Sequence, residues 1–274
     1  MPLTKINWAK YTFNPWHGCT KVSAGCDHCY AESLDRRHLH SREYHWGPGV
    51  ERQVMGDHLW LQPIAWNESE ANADARPRVF CASMADWADV EAPAGQREKL
   101  WELIRKTPNL DWLLLTERPQ NIRKSLPSDW GNGYNNVWMG VTCENRLSGL
   151  KRIDTLRKVA AKVRFVSFEP LLEGLGALNL DGIHWAIIGG ETGASAREME
   201  IGWMQSILHE CQKSGVAAWV KQLGRRPVKD GQPVIVRNEK GHRDTKGDDP
   251  DFWPASLNNL DLRSEPLPRA SGAS

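Results

Sequence analysis

Cys19, Cys26 and Cys29 fall within residues 19–29, and the last two stand one helical turn apart. Thiols this closely clustered in a reducing compartment are ligands before they are disulfides, because three thiolates that can reach one point make a metal or cluster site. Two inorganic groups satisfy the pattern. Zinc takes four tetrahedral donors, and the three cysteines could be completed by His17 or His28. An iron-sulfur cube takes the three cysteines on three of its irons and leaves the fourth open to an outside ligand.

A second set of reactive side chains follows a series of short apolar runs. Ser83, Met84 and Asp86 come after one run, Thr116-Glu117-Arg118 after the next and Thr142-Cys143-Glu144-Asn145 after the third. Ser167-Phe168-Glu169-Pro170, Gly189-Gly190-Glu191 and Lys221-Gln222 follow the remaining three. Strands must end on something polar, which accounts for some of these residues. It does not account for carboxylates at Asp86, Glu144, Glu169 and Glu191, all at matching places.

The elements that must carry these groups are legible from periodicity. Apolar runs predict strands at 78–84, 111–116, 137–142, 163–168, 184–188 and 217–220, after a brief first strand near residues 12–16 that runs into the cysteine loop. Helical patterns fall at 27–40, 93–106, 120–126 and 147–159, and a further helix carries Ile201, Met204, Ile207, Leu208 and Cys211 on one stripe. Near-continuous apolar strands alternating with amphipathic helices require a parallel sheet with helices outside it. The expected fold is therefore α/β, an open or partial (βα) barrel of six to seven mostly parallel strands. The carboxyl ends of such strands are the face on which these barrels build their sites.

Two segments break the alternation. Residues 41–78 read as an insertion with one short helix, and residues 225–274 as an extension to a barrel domain spanning 1–224. In that extension 233–237 reads as a hairpin strand, the whole covers an open edge or the mouth of the barrel, and the last residues are expected to be disordered.

Composition sets the class. A chain of 274 residues with formal charge +1 exerts no strong pull on phosphate backbones, so a nucleic-acid partner is allowed and not demanded. No apolar run approaches the roughly 20 residues that cross a bilayer, and the first residues lack the layout of a signal peptide. The expected location is the cytoplasm, with no membrane partner. The isolated Cys81, Cys143 and Cys211 read as small buried apolar residues. Fourteen tryptophans against four tyrosines are unusual. Trp8, Trp16, Trp46, Trp60, Trp66 and Trp87 are either a stacking surface for bases or anchors of a loop-rich core.

Cysteines on the loop after the first strand of a parallel (βα) barrel resemble the radical S-adenosylmethionine (SAM) superfamily. The longer string Asn14-Pro15-Trp16-x-Gly18-Cys19-Thr20-Lys21-Val22-Ser23-x-Gly25-Cys26-x-x-Cys29-Tyr30-Ala31-Glu32 is similar to a phage-associated three-cysteine-motif family within it. So are Phe165-Val166-Ser167-x-Glu169-Pro170-Leu171, Gly189-Gly190-Glu191, Lys221-Gln222 and Asp251-Phe252-Trp253-Pro254. The usual superfamily spacing puts three residues between the first two cysteines. Here there are six, and position 28, often aromatic, is His.

The resemblance implies that Cys19, Cys26 and Cys29 hold a 4Fe-4S cluster, which cleaves SAM reductively to a 5'-deoxyadenosyl radical that takes hydrogen from a substrate. It puts Ser83, Met84 and Asp86 at the methionine amino group, and Glu144 and Asn145 at the ribose or methionine end. Ser167 and Glu169 are further SAM contacts, and Gly189 and Gly190 lie against the adenine. Glu191, Arg197 and Lys221 remain for substrate, with Cys143 as a candidate hydrogen-atom donor. The expected substrate is a nucleobase, nucleotide or nucleic acid, with repair of a pyrimidine lesion as one subclass, and the expected electron donor is a flavodoxin or ferredoxin. The alternative is a non-catalytic zinc or iron-sulfur protein that binds nucleic acid or a partner.

Overall fold

The computed structural model describes residues 6–37, 44–257 and 260–266. The six apolar runs and a short first strand form one sheet whose spatial order is their chain order: β1 (Tyr11–Thr12), β2 (Arg78–Cys81), β3 (Asp111–Thr116), β4 (Val137–Thr142), β5 (Val163–Phe168), β6 (Trp185–Gly189) and β7 (Ala217–Gln222). Every neighbouring pair is parallel. Parallel neighbours in chain order need a crossover of one hand at each step, which wraps the sheet into a curled half-barrel. The helices are α1 (Tyr30–Arg37), α2 (Asp57–Trp60), α3 (Gln62–Ser69), α4 (Gln96–Lys106), α5 (Ile122–Ser125), α6 (Arg146–Arg157) and α7 (Ile201–Ser214).

Alternation along the strands sorts the core into two layers. Trp112, Leu114, Met139, Val141, Val166, Phe168, Ala186 and Ile188 pack in a large cluster with residues of the flanking helices. Phe80, Leu113, Phe165, Trp185 and Ile187 form a separate cluster on the other face, closed by Trp8 from the N-terminal segment. Gly140 lies on that second face, where a Cβ would come within 2.3 Å of the Phe165 ring. The ring occupies the space a side chain on β4 would need.

The extension covers the edge of the sheet. Val220 N–H donates to Leu262 O at 2.6 Å, Ser264 N–H donates to Ala218 O at 2.7 Å, and Trp219 and Arg263 form an antiparallel bridge. The chain from residue 262 to 264 thus runs against β7, whose free backbone groups would otherwise invite pairing with another chain. Val236, Trp253 and Leu257 from the extension are buried in the main core.

Several local expectations are corrected. The insertion holds two helices, α2 and α3, because Pro63 is tolerated only in a first turn and forces the helix to restart at Gln62. It also carries Gln53–Val54, paired antiparallel with Trp16–His17. The hairpin of the extension joins 227–229 to 232–233 through Asp230 and Gly231, both with positive φ, so most of 233–237 lies beyond it. The first helix starts at Tyr30, after a 3-10 turn at Ala24–Cys26, and its expected end at 38–40 lies outside the described residues. So do residues 270–274, where disorder was expected.

The tryptophans are core anchors. Trp8, Trp16, Trp46, Trp60, Trp66 and Trp87 are all buried, Trp66 stacks on Tyr11 at 4.5 Å, and Trp60 meets Phe13 edge to face at 5.1 Å. These six therefore present no exposed ring face for bases to stack on. Among the described residues no helix is long and apolar enough to cross a membrane.

Candidate active site at the mouth of the half-barrel

The loop that follows β1 crosses the carboxyl ends of the strands and is tied to four of them. At the end of β2, Gly18 N–H donates to Met84 O at 3.0 Å, Met84 N–H donates to Asn14 Oδ1 at 2.8 Å, and the Tyr30 hydroxyl donates to Ser83 O at 2.8 Å. Gly18 has φ +110°, and a Cβ there would lie 2.4 Å from His45 O, so only glycine threads this gap. At β3, Ser23 Oγ donates to Glu117 Oε2 at 2.9 Å and Arg118 Nη1 donates to Cys19 Sγ at 3.4 Å. At β4, an added Cβ on Gly25 would lie 3.3 Å from both Glu117 and Glu144. At β6, His28 Nδ1 pairs with Glu191 Oε2 at 3.0 Å, and Arg197 reaches Asp27 at 3.7 Å.

Beneath the loop, α6 inserts Arg152 between two carboxylates, 2.9 Å from Glu117 and 2.6 Å from Glu144. Ser148 Oγ donates to the other oxygen of Glu144 at 3.0 Å, so this fully buried carboxylate is satisfied. Burial pushes the Glu117 carboxyl up to about 7, with Arg152 opposing the rise and Glu144 adding to it. Between about 4.5 and about 7 the folded chain therefore holds a proton that the unfolded chain has released, and stability falls as pH rises through that window. In Glu117→Gln this loss is absent. Urea unfolding of the apoprotein at several pH values checks it: the stability of E117Q relative to wild type rises with pH, and a flat difference rejects the assignment.

Two further pairs close the mouth. Lys221 Nζ donates to Glu169 Oε1 at 2.6 Å and Gln222 Nε2 to the same oxygen at 3.0 Å. Burial raises Glu191, but hydrogen bonds from Arg197 and His28 outweigh it and hold the carboxyl below its ordinary value.

The expected site residues divide. Ser83, Met84, Glu144, Glu169, Glu191 and Lys221 stand around the cysteine loop or at the neighbouring strand ends. Ser167 is buried at the end of β5 and its carbonyl accepts from Cys143 N–H at 2.8 Å. Asp86 already receives Thr116 Oγ1 at 2.7 Å, Ala88 N–H at 2.9 Å, Glu117 N–H at 3.1 Å and Arg118 Nη1 at 2.7 Å. Asn145 caps α6 by accepting from Ser148 N–H at 2.9 Å. Gly190 lacks a side chain because a Cβ would lie 2.3 Å from Leu223 O, whereas a Cβ on Gly189 would make ordinary contact with Glu169 and Gln222. Cys143 is buried in the helix-side layer, where its sulfur would be 2.4 Å from a Cβ on Gly149 of α6, and burial raises its thiol to about 12. Cys81 and Cys211 are likewise buried.

Glu117 and Arg118 stood among the strand-end groups and Ser23 in the cysteine string, but none of them was given a role, and Arg152 was not singled out at all. Glu117 and Arg118 had a signal, since they follow β3 as Glu144 follows β4. Arg152 had none: a mid-helix arginine reads as solvated until the helix is seen against the sheet.

The three clustered cysteines are free thiols, each partly sheltered. Burial pushes the Cys19 thiol up to about 12, Asp86 adds to the rise, and Arg118 opposes it. Soft thiolate donors on one loop, one of them receiving a guanidinium hydrogen bond, suit the ligand set of an iron-sulfur cluster. Among the described residues no three His, Cys, Asp or Glu side chains are arranged to hold one metal ion.

The chain belongs to the family described as "Protein of unknown function (DUF5131)", whose model matches residues 3–252. No curated protein matches it. Among solved structures it is similar to a spore photoproduct lyase mutant with bound AdoMet and dinucleoside spore photoproduct, at 14% identity and TM-score 0.48. It is also similar to spore photoproduct lyase complexed with dinucleoside spore photoproduct, at 13% identity and TM-score 0.47. Each likeness covers 78% of this chain and 64% of the other, so the chain spans less than two thirds of those structures.

Proposed function

We propose that this chain is a radical SAM enzyme of the phage-associated three-cysteine-motif type, acting in the cytoplasm on a nucleobase, nucleotide or nucleic acid. The observation that carries the reading is the tethering of a three-cysteine loop across the carboxyl ends of a seven-stranded parallel half-barrel, over a ring of strand-end carboxylates and cations. Cys19, Cys26 and Cys29 would hold a 4Fe-4S cluster. When bound, that cluster supplies one electron, from a flavodoxin- or ferredoxin-like donor, to cleave the sulfonium of SAM and start hydrogen abstraction from the substrate.

The chain's own residues bind, orient and shield. Ser83 and Met84 lie on the loop to which the cysteine segment is bonded, so they present backbone groups beside the cysteines. Ser167, Glu169 and Gly189 line the next stretch of the mouth, where the Lys221 ammonium pairs with the Glu169 carboxylate. Asp86, Glu144, Asn145 and Gly190 have their protein partners and support the site from behind. Glu191 and Arg197 fix His28 and Asp27 and so set the far side of the loop. Cys143 faces the helix layer, which favours Lys221 over Cys143 as a group that meets the substrate.

The substrate class rests on the sequence resemblance and on the exposed cations Arg237, Lys240 and Arg243 of the extension, groups of the kind that contact phosphate. Residues 1–224 are the catalytic barrel in this reading, and 225–274 its extension, of which residues 262–264 run along β7.

Anaerobic reconstitution with iron and sulfide tests the reading. It predicts about four irons per chain and release of 5'-deoxyadenosine on addition of dithionite and SAM. A chain that takes up zinc and no iron-sulfur cluster sinks it. Candidate substrates, pyrimidine lesions included, are then screened for faster turnover.

A further inference from the structure

The three cysteines are not electrostatically equal. Cys19 alone has a cation in contact as well as carboxylates nearby: Arg118 Nη1 donates to its sulfur at 3.4 Å, while Asp86 and Asp89 act on it from behind that guanidinium. Cys26 has the neutral Ser23 hydroxyl at 3.9 Å, and the charged side chains acting on Cys26 and Cys29 are carboxylates, Glu117 on both and Glu32 on Cys29. Arg118 is itself buried and held at each end of its fork: Nη1 also meets Asp86 at 2.7 Å, Nη2 donates to Thr20 O, and its backbone N–H donates to Thr116 Oγ1 at 2.9 Å. Thr20 is gripped from the other side by Arg52 of the insertion, which donates to its hydroxyl at 2.7 Å. Arg52 is anchored in turn on Asp89 at 3.1 Å and Glu91 at 2.6 Å. A guanidinium so thoroughly fixed is a permanent feature of the Cys19 sulfur's surroundings.

We propose that Arg118 is a positioning residue that makes the Cys19 sulfur the electron-poor corner of the three-cysteine site, with Asp86 setting how much of its charge reaches that sulfur. The inference rests on the reading of this loop as a cluster site and adds a claim about how the protein tunes it. Hydrogen bonds to ligating sulfurs and the net charge around them set the potential of an iron-sulfur cluster. A donated hydrogen bond and a positive charge stabilise the added electron and favour reduction. A carboxylate paired with that charge attenuates the effect.

The test is an anaerobic redox titration, followed by electron paramagnetic resonance, on reconstituted wild type, Arg118→Met, Arg118→Lys and Asp86→Asn. In R118M the one-electron reduction equilibrium is expected to become about tenfold less favourable, a midpoint about 59 mV lower. R118K keeps the charge without the fork and should fall between R118M and wild type. D86N leaves the guanidinium uncompensated and should move the midpoint the opposite way. Should R118M fail to fold, R118K and D86N retain the opposed signs. Equal iron content with opposed shifts supports the proposal. Midpoints unchanged within a twofold change in equilibrium overturn it, as do shifts of the same sign or loss of iron in both R118K and D86N, the mark of a purely structural role. A wild-type chain that takes up no iron overturns the functional reading and this inference together, whereas a loaded wild type with unshifted variants overturns the inference alone.

Discussion

Replacing any one of Cys19, Cys26 or Cys29 by alanine is expected to abolish release of 5'-deoxyadenosine from SAM while leaving the fold in place. The sulfurs contribute little to the loop's attachment. Its main tethers are Ser23 to Glu117, His28 to Glu191, Tyr30 to Ser83 O and Gly18 to Met84 O, and a thiol enters only through the longer Arg118–Cys19 contact among those described. Each cysteine would ligate a different iron, so losing one thiolate removes a corner of the ligand set. Apoprotein stability should change by no more than about 1 kcal/mol, the centre of the range for point substitutions. Iron analysis, product release and urea unfolding on the three variants check both halves. A cysteine variant that still forms 5'-deoxyadenosine at the wild-type rate removes that residue from the ligand set. One that unfolds the N-terminal region instead favours a structural metal, whose loss costs folding energy directly.

The largest loss of stability is expected at Arg152. Its guanidinium bridges Glu117 and Glu144 and also donates to Thr142 O at 3.2 Å, and both Arg152 and Glu144 are buried. Arg152→Met leaves two carboxylates facing each other without a cation. Breaking a buried pair by removing one partner costs roughly 3–5 kcal/mol. The loss should be smaller near pH 6 than near pH 8 (about one unit either side of the Glu117 value), because Glu117 can relieve the repulsion by taking up a proton. Arg152→Lys should recover part of the loss, since one ammonium cannot satisfy both carboxylates as a fork does. Chemical denaturation of the three apoproteins at two pH values measures this, and a loss below about 1 kcal/mol for R152M would remove the bridge from the account of stability. Since Ser23 donates to Glu117, R152M should also loosen the cysteine loop, visible as faster hydrogen exchange over residues 19–30.

The strands were legible because a parallel sheet covered on both faces demands unbroken apolar runs, and runs of this shortness alternating with amphipathic helical segments fit strands rather than buried helices. The six apolar runs become strands where they fall, with polar residues after them at the carboxyl ends, whereas the brief first strand expected near 12–16 is Tyr11–Thr12, and Trp16–His17 pairs with the insertion. Elements whose identity depends on a single residue's backbone were less legible: the restart at Pro63, the Asp230-Gly231 turn and the 3-10 turn ahead of α1. The tryptophans were ambiguous for a different reason. A large aromatic side chain has the same sequence signature in a core as in a stacking platform, and only the packing of Trp60 and Trp66 on Phe13 and Tyr11 decides between them.

The sequence by itself determined the parallel half-barrel, the polar and ionisable residues at its strand ends and the three clustered thiols, because periodicity and spacing are local properties of the chain. The tertiary structure alone decided which strand-end groups face one another. Arg152 reaches Glu117 and Glu144, Arg118 reaches Cys19, His28 reaches Glu191, and Cys143 turns to the helix layer. Those contacts join residues far apart in sequence, and their charges acquire meaning only when burial removes the water that would otherwise screen them.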